Sequence, residues 1–230
     1  MFWYYDSTYI LVIIGALLCL LASAQVKSTY AKYQKVRSLS GMTGAQAAER
    51  ILQYSGIYDV RIARVSGNLT DHYDPRSKVL NLSDAVYDNN SVAAIGVAAH
   101  ECGHAIQDNQ GYAALRFRAA LVPVANFGAT ISWPIIILGV VFGYSQSLIN
   151  IGIILFSSVV IFQLVTLPVE FNASRRAVNV LNDSGILYDE EIKYTKKVLG
   201  AAALTYVAGA ASVILQLLRL VLLFGGRDRD

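Results

Sequence analysis

Charge is scarce in this chain. Lys and Arg number 19 and Asp and Glu 16 among 230 residues, a net charge of +3. So small an excess, scattered around the ends of apolar runs, argues against nucleic-acid binding. Cysteine is scarcer still, with only Cys19 and Cys102 present. One lies in an apolar run and the other in a helical motif, so a disulfide framework is excluded and both read as unpaired packing thiols. A positively charged leader is also missing. Asp6 is the only charged side chain before the first apolar run, which favours a retained transmembrane helix over a cleaved signal peptide.

Hydrophobic residues, at 55%, are abundant and gather into long runs instead of recurring at helix or strand period, as in a membrane protein. The first run extends from about Tyr9 to Ala24, with Trp3, Tyr4, Tyr5 and Tyr9 suited to one membrane interface. The next two, about Ala119 to Phe142 and Leu148 to Pro168, form a hairpin across Gly143-Tyr144-Ser145-Gln146-Ser147. The last, Ala201 to Phe224, contains Arg219, which either snorkels to the nearby end or faces the protein interior. Gly139-x-x-x-Gly143 marks a helix–helix contact or a dimer face, leaving a homo-oligomer through the membrane helices open.

The expected architecture is a mainly α membrane protein of about four transmembrane helices with a cytosolic α+β domain containing a short β-hairpin or small sheet. Helix 1 occupies 1–26, the domain with strands and motif helix 27–118, and the transmembrane hairpin 119–168. A cytosolic helical segment fills 169–200, helix 4 201–224, and a tail 225–230. Lys27, Lys32, Lys35, Arg37, Arg116, Arg118, Arg175, Arg176, Lys193, Lys196 and Lys197 flank the runs on one side. The N-terminus and the hairpin tip carry none, so 25–118 and 169–200 are expected in the cytosol and both termini outside, with Arg227 and Arg229 dissenting.

Within the cytosolic part, helix one is expected to continue through Tyr30, Tyr33 and Val36. A second helix starts at a Thr43-x-x-Gln46 capping box and stops at Gly56. Val60-Arg61-Ile62-Ala63-Arg64-Val65 alternates as a strand does. Asp74-Pro75-Arg76-Ser77 is a turn, and Lys78-Val79-Leu80-Asn81-Leu82 is the second strand. An exposed strand edge beside a metal can bind an extended peptide by strand addition.

The chemistry is concentrated in His100-Glu101-Cys102-Gly103-His104. On a helix, residues i and i+4 share a face, so both imidazoles can converge on one Zn²⁺ ion while Glu101 reaches a water held there. Ser91 or Asn90 can cap this helix and Asn109-Gln110-Gly111 can end it. A catalytic zinc takes three protein ligands, so a third is required. A metzincin would need His where Gln110 stands, and that pattern is absent. His72 and Asp108 are alternatives, but Glu170 is the choice: it opens a helical stretch after the third span, returning to the same membrane face. Ala173 and Ser174, at i+3 and i+4 from Glu170, let the two helices approach closely.

With His100, Glu101, His104 and Glu170 in place, the chain resembles the gluzincin membrane proteases, most closely the YugP-like membrane zinc metallopeptidases. The likeness also runs through Asp71-His72-Tyr73-Asp74-Pro75, Leu82-Ser83, Glu170-Phe171-Asn172-Ala173-Ser174-Arg175-Arg176-Ala177 and Ala203-Leu204-Thr205-Tyr206-Val207-Ala208. HtpX-like and CaaX prenyl proteases are similar at greater distance. In those, an Asp often stands where this chain has Ser174, so another carboxylate or a backbone carbonyl is expected to orient a ligand histidine.

The resemblance implies a zincin-like metallopeptidase of a bacterial cell membrane. Its substrates would be membrane proteins or peptides near the cytosolic leaflet, and Glu101 would act as general base and then acid on water activated by zinc. His72, Tyr73, Asn172, Arg175 and Arg176 are candidate transition-state stabilisers or supporting groups. Arg175 and Arg176 serve equally well as phospholipid anchors. The competing reading is a non-proteolytic zinc-stabilised membrane scaffold or adaptor, in which Glu101 has no task.

Overall fold

The computed structural model describes residues 6–225. Trp3, Tyr4, Tyr5, Arg227 and Arg229, invoked above for the interface and for orientation, lie outside them. The elements in chain order are α1 (Tyr9–Tyr33), α2 (Gly44–Tyr54), β1 (Arg61–Val65), β2 (His72–Asp74), β3 (Val79–Ser83), α3 (Asp84–Tyr87), α4 (Val92–Asn109), α5 (Ala113–Val141), α6 (Gln146–Asp183) and α7 (Asp189–Phe224). Two compact units result: Met1–Ser23, Phe117–Leu167 and Thr205–Asp230 in one, and Ala24–Arg116 with Pro168–Leu204 in the other. The fold is thus mainly helical with one small sheet.

Helices α1, α5, α6 and α7 are each long and apolar enough to cross a membrane. In the first unit they leave Ile13, Leu17, Leu21, Phe127, Ile137, Ile154 and Leu222 largely exposed. Rows of bare Leu, Ile and Phe are untenable in water and natural against lipid tails. Small residues bring these helices together: a Cβ on Gly15 would lie 2.8 Å from Ser212 Oγ, and one on Gly139 2.8 Å from Ile149 Cγ1. Gly139 thus makes a helix–helix contact within the α5–α6 hairpin. Gly143, at φ +75°, makes the turn. Arg219 faces the interior, paired with Asp6 at 2.6 Å.

In the second unit, Ala47, Ile51, Leu80, Leu82, Ile95, Ala99, Leu181 and Leu187 build one core from α2, the sheet, α4, the later part of α6 and the turn that follows it. The Thr43–Gln46 capping box forms at the start of α2, and Gly56 at φ +70° follows its end. Ser91 caps α4 by accepting from Ala94 N–H at 3.2 Å.

The expected small sheet is present, and two expectations about helices are corrected. The strand candidates β1 and β3 are neighbours but parallel, and the short hairpin is β2–β3 across the turn at 75–78. The sheet has the order β1-β3-β2, with β1 parallel to β3 and β2 antiparallel to it. A parallel pair needs a long crossover, and Ser66–Lys78 supplies it while itself donating the three-residue strand β2. Helix one stops at Tyr33 short of Val36, because Val36 accepts from Val92 N–H at 2.9 Å and Arg37 bridges to Ser91. Glu170 does not open a helix. It sits well inside α6, which runs through Pro168 without interruption. A proline forfeits one backbone hydrogen bond, a loss that membrane helices accommodate.

Candidate metal centre

The spacing of His100 and His104 on α4 places their rings on one face, with centroids 4.9 Å apart and planes nearly perpendicular. Glu170 on α6 faces them. Its Oε2 lies 3.2 Å from His100 Nε2 and 3.5 Å from His104 Nε2. Among the described residues, this is the group whose nitrogen and oxygen atoms gather within 4.8 Å of one another in a way that suits a metal ion.

The close approach of α4 and α6 depends on Gly103. A Cβ there would lie 2.5 Å from the carbonyl oxygen and 3.1 Å from the Cα of Ala173, contacts no side chain can occupy. The small residue expected on α6 is thus matched by one inside the motif.

Both imidazoles turn their Nδ1 atoms away from Glu170 toward neutral partners. His100 Nδ1 lies 3.1 Å from Ser174 Oγ, and His104 Nδ1 lies 3.0 Å from Gln107 Oε1. The expectation of another carboxylate or backbone carbonyl is therefore wrong for these histidines. The Ser174 hydroxyl reaches the ring itself, and a glutamine one turn along α4 serves the other. Gln107 had no signature in the sequence beyond its position three residues past His104.

The donor set fits zinc. Two imidazole nitrogens and one carboxylate oxygen converge, and three protein ligands leave a position open in the usual four-coordinate arrangement. Burial by itself draws the His104 pKa down, but the hydrogen bond to Glu170 and the charges of Glu101 and Glu170 outweigh it, so the net direction is up. A cation is favoured at this spot.

Glu101 is buried, and its Oε2 accepts the backbone N–H of Tyr73 at 3.0 Å. Since β1 and β2 are both edges of the sheet, this bond identifies β2 as the edge that meets the motif helix. The Tyr73 phenol donates to Asp108 Oδ2 at 2.9 Å, and Lys78 Nζ reaches the same oxygen at 2.8 Å. Burial, and then Asp108, pushes the phenol pKa up, so Tyr73 stays a neutral donor that clamps β2 to α4.

The remaining candidates separate. His72 lies in β2 with Nδ1 2.9 Å from the Thr70 carbonyl and Nε2 3.2 Å from Asn81 Nδ2, outside the ligand cluster. Asn172 and Arg176 meet behind His104: Asn172 Oδ1 accepts from Gln107 Nε2 at 2.9 Å and from Arg176 Nε at 2.6 Å. Arg175 is exposed. Asp108, considered above as a ligand, is held by Tyr73 and Lys78 instead. Cys102 is buried and unpaired as expected, its thiol pKa driven well up by burial.

A family model described as "Putative neutral zinc metallopeptidase" matches residues 8–225. The chain is also similar to the "Putative membrane protease YugP" of Bacillus subtilis (strain 168), 49% identical over 210 residues that cover 91% of this chain and 93% of that protein. No solved structure matches significantly. Because the matched span takes in the four long helices together with the His-Glu-x-x-His helix and Glu170, the chain belongs to this zinc metallopeptidase family.

Proposed function

We propose that the protein is an integral-membrane zinc-dependent endopeptidase that cleaves membrane-associated proteins or peptides near the cytosolic membrane face. The convergence of His100 Nε2, His104 Nε2 and Glu170 Oε2 beside a buried Glu101 carries this reading. His100, His104 and Glu170 would hold one zinc ion, which supplies a Lewis acid that activates water and polarises a peptide carbonyl. Glu101 takes the proton of the attacking water and returns it to the leaving amine. The Tyr73 N–H fixes one carboxylate oxygen of Glu101, leaving Oε1 to exchange that proton.

Strand β2 supports the substrate assignment. An extended peptide added along its free edge would run past the motif helix, with backbone hydrogen bonds giving affinity independent of sequence. The four apolar helices support substrates delivered from the bilayer. Lys27, Lys32, Lys35 and Arg37 after the first apolar run, with Lys196 and Lys197 before the last, favour the cytosolic side for the motif and outside positions for both termini.

Purified protein in detergent, compared with Glu101→Gln, tests the proposal through bound zinc and cleavage of an unstructured membrane-tethered peptide. One zinc in each and cleavage by the parent alone is the expected result. Zinc in both with no cleavage across a broad peptide panel would return the protein to the scaffold reading.

A further inference from the structure

We propose that Arg176, acting through Asn172 and Gln107, holds a ring proton of His104 on Nδ1, so that Nε2 is the nitrogen left to serve as the ligand atom. The inference rests on the metal-centre reading above and adds positioning residues to it.

The orientation of the Gln107 amide is forced. A glutamine amide can be turned either way, and its partners decide which end is oxygen. Gln107 is completely buried, so every polar atom of its amide requires a partner. Its nitrogen lies 2.9 Å from the Val169 carbonyl, which can only accept. The same nitrogen lies 2.9 Å from Asn172 Oδ1. Both amide hydrogens are thus committed, and the atom 3.0 Å from His104 Nδ1 must be the oxygen. Facing an oxygen that has no proton to give, Nδ1 must carry the hydrogen.

Asn172 poses the same ambiguity one step back, and Arg176 resolves it. A guanidinium is donor-only, so the Asn172 atom 2.6 Å from Arg176 Nε is the oxygen. That oxygen then holds two donors, from Arg176 and Gln107, which fills its lone pairs. Arg176 is itself anchored, with a second nitrogen hydrogen-bonded to Gln110 Oε1 and its guanidinium 5.8 Å from the Tyr112 ring centre. Of the roles open to Arg176 (transition-state stabiliser, supporting group or lipid anchor), its hydrogen bonds behind the histidine fit the supporting group.

Three variants separate the outcomes. Gln107→Met removes the acceptor for Nδ1–H, whereas Gln107→Glu keeps an acceptor and loses the donors to Val169 and Asn172. Arg176→Met leaves Gln107 in place but frees Asn172 to turn. Zinc affinity, read by chelator competition, is expected to fall about 10- to 100-fold in Gln107→Met, as for other groups that orient a ligand histidine. Gln107→Glu should stay within a few-fold of the parent, although it disturbs the buried surroundings at least as much. Arg176→Met should fall between them.

The second readout is the side-chain ¹H–¹⁵N spectrum of histidine-labelled protein, which has three histidines to assign. A protected His104 Nδ1–H is expected in the parent and in Gln107→Glu, and its loss in Gln107→Met. Equal affinity and an unchanged signal in Gln107→Met and Arg176→Met would overturn the relay, as would Gln107→Glu failing as badly as Gln107→Met. A parent that binds no zinc would sink the metal-centre reading alone, because the Nδ1–H signal of the metal-free protein still decides whether the relay exists.

Discussion

The backbone N–H of Tyr73 donates to Glu101 Oε2 at 3.0 Å, so an edge strand of the sheet holds the glutamate of the zinc-binding motif. In the proposed mechanism Glu101 accepts and returns a proton, and a carboxylate in that role benefits from one fixed oxygen, since small misplacements of a reacting group are costly. Replacement by proline removes this N–H while keeping a residue that edge strands tolerate. Tyr73→Pro is expected to lower peptide cleavage about 10- to 100-fold with zinc content unchanged. Tyr73→Phe keeps the N–H and loses only the bond to Asp108, so it should retain most activity. Steady-state cleavage and metal analysis of the two variants check the contrast.

Gly103 is the glycine at which α4 meets α6 in the second unit. Its added Cβ would strike backbone atoms of Ala173, at 2.5 Å from the oxygen and 3.0 Å from the carbonyl carbon, and backbone cannot rotate aside. Gly96, on the same helix, would meet only the Thr195 methyl at 3.1 Å. Gly103→Ala is therefore expected to cost about 1–3 kcal/mol and to weaken zinc binding by moving Glu170 away from the histidines. Gly96→Ala should do little to either. Thermal unfolding and zinc titration of the pair measure it.

Asp108 links stability to pH through Lys78 and Tyr73. Burial pushes its pKa up, but the Lys78 and Tyr73 hydrogen bonds prevail and leave it below the ordinary carboxylate value. A carboxyl depressed in the folded state contributes stability that is present above its unfolded pKa and lost as pH falls through the folded one. The pair is partly exposed, so the contribution is about 0.5–1 kcal/mol. Asp108→Asn should therefore unfold at a lower temperature than the parent at pH 7, with the gap closing as the pH falls below the usual carboxylate range. A gap that persists unchanged at pH 3 would show that charge is not its source.

Much of the site is legible in the sequence. The i, i+4 histidines and the capping residues Thr43 and Ser91 are local signals, and local signals survive folding. Glu170 is reachable because the chain is expected to return to the motif helix after the third apolar run, and its carboxylate does lie beside both imidazoles. What stayed hidden depends on contacts distant in sequence. Strand β2 is three residues long, too short to show alternation, and its identity comes from pairing with β3. The uninterrupted run of α6 through Pro168 is invisible to a rule that ends helices at proline. Ser174 is an ordinary polar residue whose purpose appears only when α6 meets α4, and Gln107, on the same helix as His104, is oriented by Val169 and Asn172 of α6.

The membrane unit holds its own ion pair. Arg219 donates to Asp6 Oδ2 at 2.6 Å while its guanidinium lies 4.3 Å from the centre of the Tyr9 ring, and both side chains are mostly shielded. Removing one member of such a pair leaves an uncompensated charge, and that penalty exceeds the net worth of the pair itself. Arg219→Met and Asp6→Asn are each expected to lower the unfolding temperature. The double variant, with no charge left stranded, should lie closer to the parent than either single change. Thermal unfolding of the four proteins in one detergent closes the double-mutant cycle and isolates the coupling. If Arg219 were instead a snorkelling side chain indifferent to Asp6, the two single effects would add and the coupling would vanish.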